Sequence, residues 1–206
     1  ETASILSNIT CPDGNVYAFP RILDSTSTYF THRIFVNVEW LENVNLDRPE
    51  TLDDFYEMLV AFKKQDANGN GDPDDELPLG GCDKAYDPGF YVWNALGFMG
   101  TSYDTEISPM LRNGKVEILA GSELFREYLS FMNRLYAEGL IDDDFFSIDK
   151  AESDSQMAEG RVGVYAQAPY LTLPAVEDFQ KYEALSPLTS EWNDTKAWPQ
   201  SADYGV

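Results

Sequence analysis

Between Asp66 and Glu76 the chain reads Asp-Ala-Asn-Gly-Asn-Gly-Asp-Pro-Asp-Asp-Glu, with oxygen-bearing side chains at the first, third and fifth places and Gly71 at the sixth. In a tight turn, alternate residues point inward, glycine relieves the sharpest bend, and the seventh residue offers its backbone carbonyl. A hard divalent cation taking about 6–8 oxygen ligands suits this pattern, and calcium is the ion that accepts such flexible geometry. On this logic Asp66, Asn68, Asn70 and the carbonyl of Asp72 are the candidate ligands. The twelfth position, where a helix-loop-helix calcium hand carries a bidentate Glu, is Leu77, so the closing carboxylate comes from Asp74, Asp75 or Glu76. The competing reading is an acidic Asn-Gly turn without metal.

Other chemistry has less support. The single histidine, His32, lies in a polar stretch, and no Gly-x-Ser-x-Gly elbow, P-loop, dinucleotide fingerprint or His-Glu-x-x-His motif is present. A carboxylate pair for glycoside hydrolysis needs only two acids at a set separation, and among 36 acids such a pair carries no signal. The run Asp142-Asp-Asp144 reads as a solvated helix end in preference to a second metal site. Tyr91 and Trp93, with Phe90, could stack on the apolar C–H face of a sugar, although at helical spacing such residues more often fill a core. Tyr170 follows a strand, and ligands of open α/β sheets sit beyond strand carboxyl ends.

The elements that would position these groups alternate in type. Arg33 to Val38 is a β-branched and aromatic run of strand length, and Asn15 to Pro20, after the turn signal Pro12-Asp-Gly14, reads as another strand. Thr51 and Asp54 form a capping box that opens a helix with Leu52, Phe55, Leu59 and Phe62 on one face. That helix feeds the 66–76 loop, and Leu77-Pro-Leu79 reads as the short strand after it, so a bound ion would pin a helix to a strand. Further helices are expected over the Phe90 to Gly97 stretch, from Ser122 to about Glu138 with a wide apolar arc ending at Gly139, over Asp154 to Glu159, and over Pro174 to Tyr182. Strands are expected at Gly114 to Leu119, Arg161 to Ala166 and Glu183 to Leu185, with a long loop over 97–114. Alternation of this kind implies an α/β fold.

Composition bounds the partners. With 36 Asp and Glu against 14 Lys and Arg the net charge is −22, which repels a phosphate backbone and an anionic lipid leaflet, so nucleic acid is not expected as a partner. At 43% hydrophobic and 14% aromatic residues the chain can build a packed core, and 206 residues make a single domain the default. No apolar run approaches the ~20 residues that span a bilayer. The start at Glu1 lacks a basic region and an apolar leader, as expected of a processed chain or a fragment. Cys11 and Cys82 are too far apart for a Cys-x-x-Cys motif and read as two buried thiols or as one disulfide.

In order along the chain, Asp13-Gly-Asn-Val-Tyr-Ala-Phe-Pro20, Val36-Asn-Val-Glu-Trp-Leu41, Arg48-Pro-Glu-Thr-Leu-Asp-Asp-Phe-Tyr56 and Ala61-Phe-Lys-Lys-Gln-Asp-Ala-Asn-Gly-Asn-Gly71 carry a family resemblance. So do Leu135-Tyr-Ala-Glu-Gly-Leu-Ile141, Glu159-Gly-Arg-Val-Gly163 and Tyr182-Glu-Ala-Leu-Ser-Pro-Leu188. The sequence resembles bacterial extracellular solute-binding proteins of family 1, the sugar-binding lipoproteins of ABC importers. The resemblance implies a periplasmic-binding-protein-like (type II) α/β lobe with a mixed sheet flanked by helices. It also implies that the segment comes from the middle of a longer chain, with 1–206 as a single domain forming mostly one lobe of two.

It further implies binding of a sugar or oligosaccharide without catalysis, docking on ABC permease subunits, and a monomer. The setting would be extracellular or periplasmic, with the membrane reached only through a lipid anchor outside this segment. The loop residues of relatives map onto Asp66, Asn68, Asn70, Asp72, Asp75 and Glu76 as ligands of a structural calcium, with Asp74 competing because the spacing is one residue longer here. The rival classes are a calcium-dependent glycoside hydrolase or lyase fragment and a calcium-stiffened adhesion module.

Overall fold

The computed structural model describes residues 6, 9–18, 33–72, 74–82, 87–98, 109–112, 115–167 and 180–198. Internal contacts group the chain into two units, Glu1–Thr31 with Gln200–Val206, and His32–Pro199. In the first unit the expected strand after Gly14 is reduced to a single bridge between Thr10 and Val16 around a turn closed by Cys11 and Asn15. Residues 19 and 20 lie outside the described residues.

The larger unit holds a four-stranded sheet made from β1 (Arg33–Asn37), β2 (Leu77–Gly80), β5 (Val162–Gln167) and β6 (Tyr182–Ala184), in the order β2-β5-β1-β6. It is mixed. β1 runs antiparallel to β5, with Ile34 opposite Ala166, and to β6, with Phe35 opposite Ala184, whereas β2 runs parallel to β5, with Leu79 opposite Val164. The apolar runs of β1 and β5 are buried along almost their whole length because both faces of the sheet are covered. Ile34, Val36, Leu79 and Val164 join the main core, while Phe35, Val162, Tyr165 and Tyr182 join a second cluster with Cys82 and Met157.

Helices supply the rest of the main core. The short α1 (Val38–Asn43) follows β1 directly and buries Trp40 and Leu41. In α2 (Leu52–Lys64) the Thr51 hydroxyl accepts from the Asp54 N–H and the Asp54 carboxylate accepts from the Thr51 N–H, both at 3.0 Å, the reciprocal cap expected from the sequence. Phe55, Met58, Leu59 and Phe62 of α2 face inward, and Phe62 meets Trp40 edge to face at 5.3 Å. α3 (Gly89–Ala95) is buried from Tyr91 to Ala95, in agreement with the helix expected there.

α4 (Glu123–Ala137) starts on Ser122 and ends before Gly139, whose φ of 65° suits the residue that terminates a helix. Its apolar arc is wider than its contact. Leu124 and Leu135 are buried, whereas Leu129 and Tyr136 on the outer stripe are exposed. α5 (Lys150–Ala158) starts earlier than the expected Asp154 because Asp149 and Glu152 form a second capping box, and its inward face holds only Ser153 and Met157.

A separate hairpin pairs β3 (Pro109–Arg112), which lies in the stretch expected to be loop, with β4 (Lys115–Ile118), which matches the strand expected over Gly114 to Leu119, and every residue of β4 is exposed. The helix expected over Pro174 to Tyr182 falls mainly outside the described residues, and Tyr182 itself opens β6. Neither Cys11 nor Cys82 is in a disulfide, in line with the reading of two thiols, and Cys82 is buried as expected whereas Cys11 is exposed. No helix among the described residues is long and apolar enough to cross a membrane.

Candidate metal centre

α2 delivers the chain to the acidic loop with Lys63 and Lys64 in its last turn, and β2 takes it away after Glu76. Within the loop, side chains replace the backbone ladder. The Asp66 carboxylate accepts the Gly71 N–H at 2.9 Å, the Asn68 carbonyl oxygen accepts the Asn70 N–H at 2.9 Å, and that of Asn70 accepts the Asp72 N–H at 2.7 Å. The Asp74 N–H reaches the Asp72 carboxylate at 3.3 Å. These bonds wind the loop into successive Asx turns, for which Asn and Asp are suited. Gly69 and Gly71, at φ 73° and 91°, take the left-handed backbone that side-chain-bearing residues avoid.

Two residues that carried no sequence signal tie the loop to the body. Asn43, at the end of α1, donates from Nδ2 to the carbonyl of the buried Ala67 at 2.8 Å, and Arg161 Nε reaches the Asp75 carbonyl at 3.4 Å. The Leu77 N–H then donates to the Arg161 carbonyl at 2.8 Å, where β2 meets β5. The loop is thus attached at both flanks to secondary structure.

Among the loop residues assigned as ligands from the sequence, Glu76 is the most enclosed, at 3% exposure. Neither of its carboxylate oxygens has a hydrogen-bond partner among the described residues, and neither has Oδ1 of Asp66. Burial pushes the Glu76 carboxyl above its ordinary range and the charge of Asp75 adds to this, while the backbone amides of Glu76, Asn68 and Ala67, which lie near it without closing a hydrogen bond of good geometry, pull it part of the way back. Buried carboxylate oxygens are normally paired, so three orphaned ones in one loop are the donor set a hard cation would satisfy.

Asp75 is half-buried, and its two oxygens accept from Asn68 Nδ2 and Asn70 Nδ2, each at 2.8 Å. Asp72 and Asp74 are exposed. Among the described residues no group of three or more His, Cys, Asp and Glu side chains converges as a metal site, so any cation here depends on amide or backbone oxygens as well. The residues fit calcium on that count, because amide and carbonyl oxygens are ordinary calcium ligands.

The aromatic candidates lie elsewhere. Tyr91 is fully buried, donates from its hydroxyl to the Ser186 carbonyl at 2.7 Å and meets Phe55 edge to face at 5.2 Å. Trp93, at 8% exposure, stacks on Tyr128 and Phe125 with interplanar angles of 12° and 11°. Their ring faces are occupied by packing, which is the core role their helical spacing also allowed. Tyr170 lies outside the described residues. Asp142 is not a solvated helix end, since it is buried, with Oδ1 accepting from the Asp144 N–H at 2.9 Å and Oδ2 from Gln156 Nε2 at 2.7 Å.

No protein-family model matches the chain. It is 35% identical over 159 residues to Lipoprotein LipO of Bacillus subtilis (strain 168), a match covering 74% of this chain and 29% of LipO. It is 31% identical over 163 residues to the fructooligosaccharide ABC transporter substrate-binding protein FusA of Streptococcus pneumoniae serotype 4, covering 76% of this chain and 30% of FusA. The structure of FusA in complex with kestose superposes with a TM-score of 0.78 at 26% identity, covering 99% of this chain and 43% of that one. An EF-hand mutant of FusA in complex with fructo-nystose gives a TM-score of 0.76 at 24% identity, covering 98% and 42%. The chain therefore spans less than half the length of the relatives it matches.

Proposed function

The chain belongs, as a partial segment, to the extracellular solute-binding proteins with a type II periplasmic-binding-protein-like fold, and from that membership we propose that it serves sugar or oligosaccharide capture for an ABC importer. The observation that carries this reading is the 31% identity to a fructooligosaccharide-binding protein whose kestose complex shares the fold over 99% of this chain. FusA is named for substrate binding and not for catalysis, and the role assigned here is likewise binding. Its partners would be a saccharide and the permease subunits, its state a monomer, and its place the outer face of the cell membrane through a lipid anchor, or the periplasm.

Calcium would serve structure in this scheme. The loop from Asp66 to Glu76 would hold it through Asp66, Asn68, Asn70, Asp72, Asp75 and Glu76, supported by Oδ1 of Asp66 and both carboxylate oxygens of Glu76, which are buried without a partner among the described residues. The ion would neutralise part of a segment with five acids and no base, and would fix the end of α2 against the start of β2. For the sugar, Tyr170 is the remaining aromatic candidate, because it follows β5 in sequence and β2 and β5 run parallel, so their carboxyl ends share one edge. Tyr91 and Trp93 act from the core.

Isothermal titration of the full-length protein with a panel of mono- and oligosaccharides that includes kestose tests the reading. Saturable binding of a saccharide without turnover is the expected result. Hydrolysis of a panel member, lost on replacing one carboxylate, would move the protein to the glycoside hydrolases instead.

A further inference from the structure

Asn68 and Asn70 do more in this loop than offer oxygen. Each donates its amide N–H to a different oxygen of Asp75, at 2.8 Å in both cases, while its carbonyl oxygen accepts a backbone N–H from Asn70 or Asp72. The orientation of both amides follows from chemistry at both ends. A carboxylate can only accept and a backbone N–H can only donate, so nitrogen has to face Asp75 and oxygen has to face the turn.

We infer that Asn68 and Asn70 are positioning residues that hold the loop closed in the absence of a cation, their amide donors taking the place at Asp75 that a metal would take. This inference rests on the calcium reading of the same loop. An amide N–H cannot ligate a cation, so an ion that uses Asp75 competes with the two donors for its oxygens. Aspartate at the same two places would remove both donors and add two charges to a segment that already carries five acids and no base. Like charges at this separation repel, and the closed metal-free form would be lost. Asparagine therefore lets the loop keep its shape in both states, with the attachments to Asn43 and Arg161 intact.

Thermal melting of wild type and of the Asn68→Asp/Asn70→Asp double variant, each in EDTA and in excess CaCl2, reads this directly. In EDTA the double variant is expected to melt roughly 2–12 °C below wild type, from the loss of two hydrogen bonds, one part-buried and one exposed, at ordinary strength. CaCl2 should restore most of that loss, because aspartate oxygens ligate calcium. Equal melting of the two proteins in EDTA, or a deficit of the same size with and without CaCl2, overturns the inference.

Should the variant not fold, the side-chain NH2 protons of Asn68 and Asn70 in wild-type protein in EDTA provide the second reading. Exchange slower than that of the exposed Asn133 supports the interlock, and equal exchange overturns it. A wild-type melt indifferent to calcium would defeat the metal assignment while leaving both EDTA readings to judge the interlock.

Discussion

Oδ2 of Asp66 accepts the Gly71 N–H at 2.9 Å, while Oδ1 of the same carboxylate is buried without a partner among the described residues. One side chain is thereby divided between two tasks, shaping the loop with one oxygen and offering the other. Leaving a buried acceptor unsatisfied costs about 1–3 kcal/mol. A ligand that reaches Asp66 recovers that cost.

Calcium is expected to raise the melting temperature. A ligand bound only by the folded state at about 100 times its dissociation constant adds about 2.7 kcal/mol, or about 5–10 °C for a chain of this size. Asp66→Ala should abolish the difference between melts in CaCl2 and in EDTA. Identical wild-type melts in the two conditions would sink the metal assignment.

Glu76→Gln separates the cost of the buried charge from its use. In EDTA at neutral pH the variant should melt no lower than wild type, because it removes a carboxylate whose two oxygens are buried without a hydrogen-bond partner among the described residues. In CaCl2 it should gain far less than wild type. A variant that is weaker in EDTA yet keeps the full calcium response would show that Glu76 is not a ligand.

The capping box of α2 gives a pH-dependent test away from the loop. Partial burial acts against ionisation of Asp54, but the Thr51 hydroxyl and the Glu50 and Thr51 amides, with the charge of Lys196, hold its carboxyl below its ordinary 3.8. A carboxyl that titrates lower when folded stabilises the fold fully above its unfolded value and loses that contribution as pH falls through its folded one. Thr51→Ala should cost about 0.5–2 kcal/mol at neutral pH. The difference between wild type and Asp54→Asn, followed by urea unfolding, should shrink as pH drops below 3.8.

Gly163→Ala should destabilise the protein by about 1–3 kcal/mol, the usual cost of overpacking. A Cβ at Gly163 would lie 2.6 Å from Trp40 Cε3 and 2.7 Å from Phe62 Cδ2, two rings that already meet edge to face. Chemical denaturation reads the loss. An alanine variant as stable as wild type would mean that the Trp40 and Phe62 rings move apart without penalty.

What could be read from the residues was whatever depends on neighbours in sequence. The capping box at Thr51, the apolar face of α2 and the oxygen spacing from Asp66 are local patterns with local causes. α5 shows the limit of periodicity, because only Ser153 and Met157 face inward and the true start is marked by the cap at Asp149. The anchoring of the loop by Asn43 and Arg161 joins positions far apart in the chain, and nothing in either residue type announces it. Tyr91 and Trp93 show the converse. Aromatic character is shared by core and cleft, and only the packing of Phe55, Phe125 and Tyr128 around them separates the two.

The order β2-β5-β1-β6 sets the pace at which this protein can form. No two neighbouring strands of that sheet are consecutive in the chain, so none of its pairings can be made as a hairpin. Arg33 waits for Gln167, Leu77 for Val162 and Phe35 for Ala184, and each pairing closes a loop of about 85 to 150 residues before any ladder bond rewards it. Refolding after dilution from denaturant should therefore be slow for the chain's size, with far-ultraviolet ellipticity from α2 and α4 returning before the fluorescence of Trp40. The 66–76 loop joins α2 to β2 in a local step, and an ion bound there early would deliver the first strand edge against which β5 can dock.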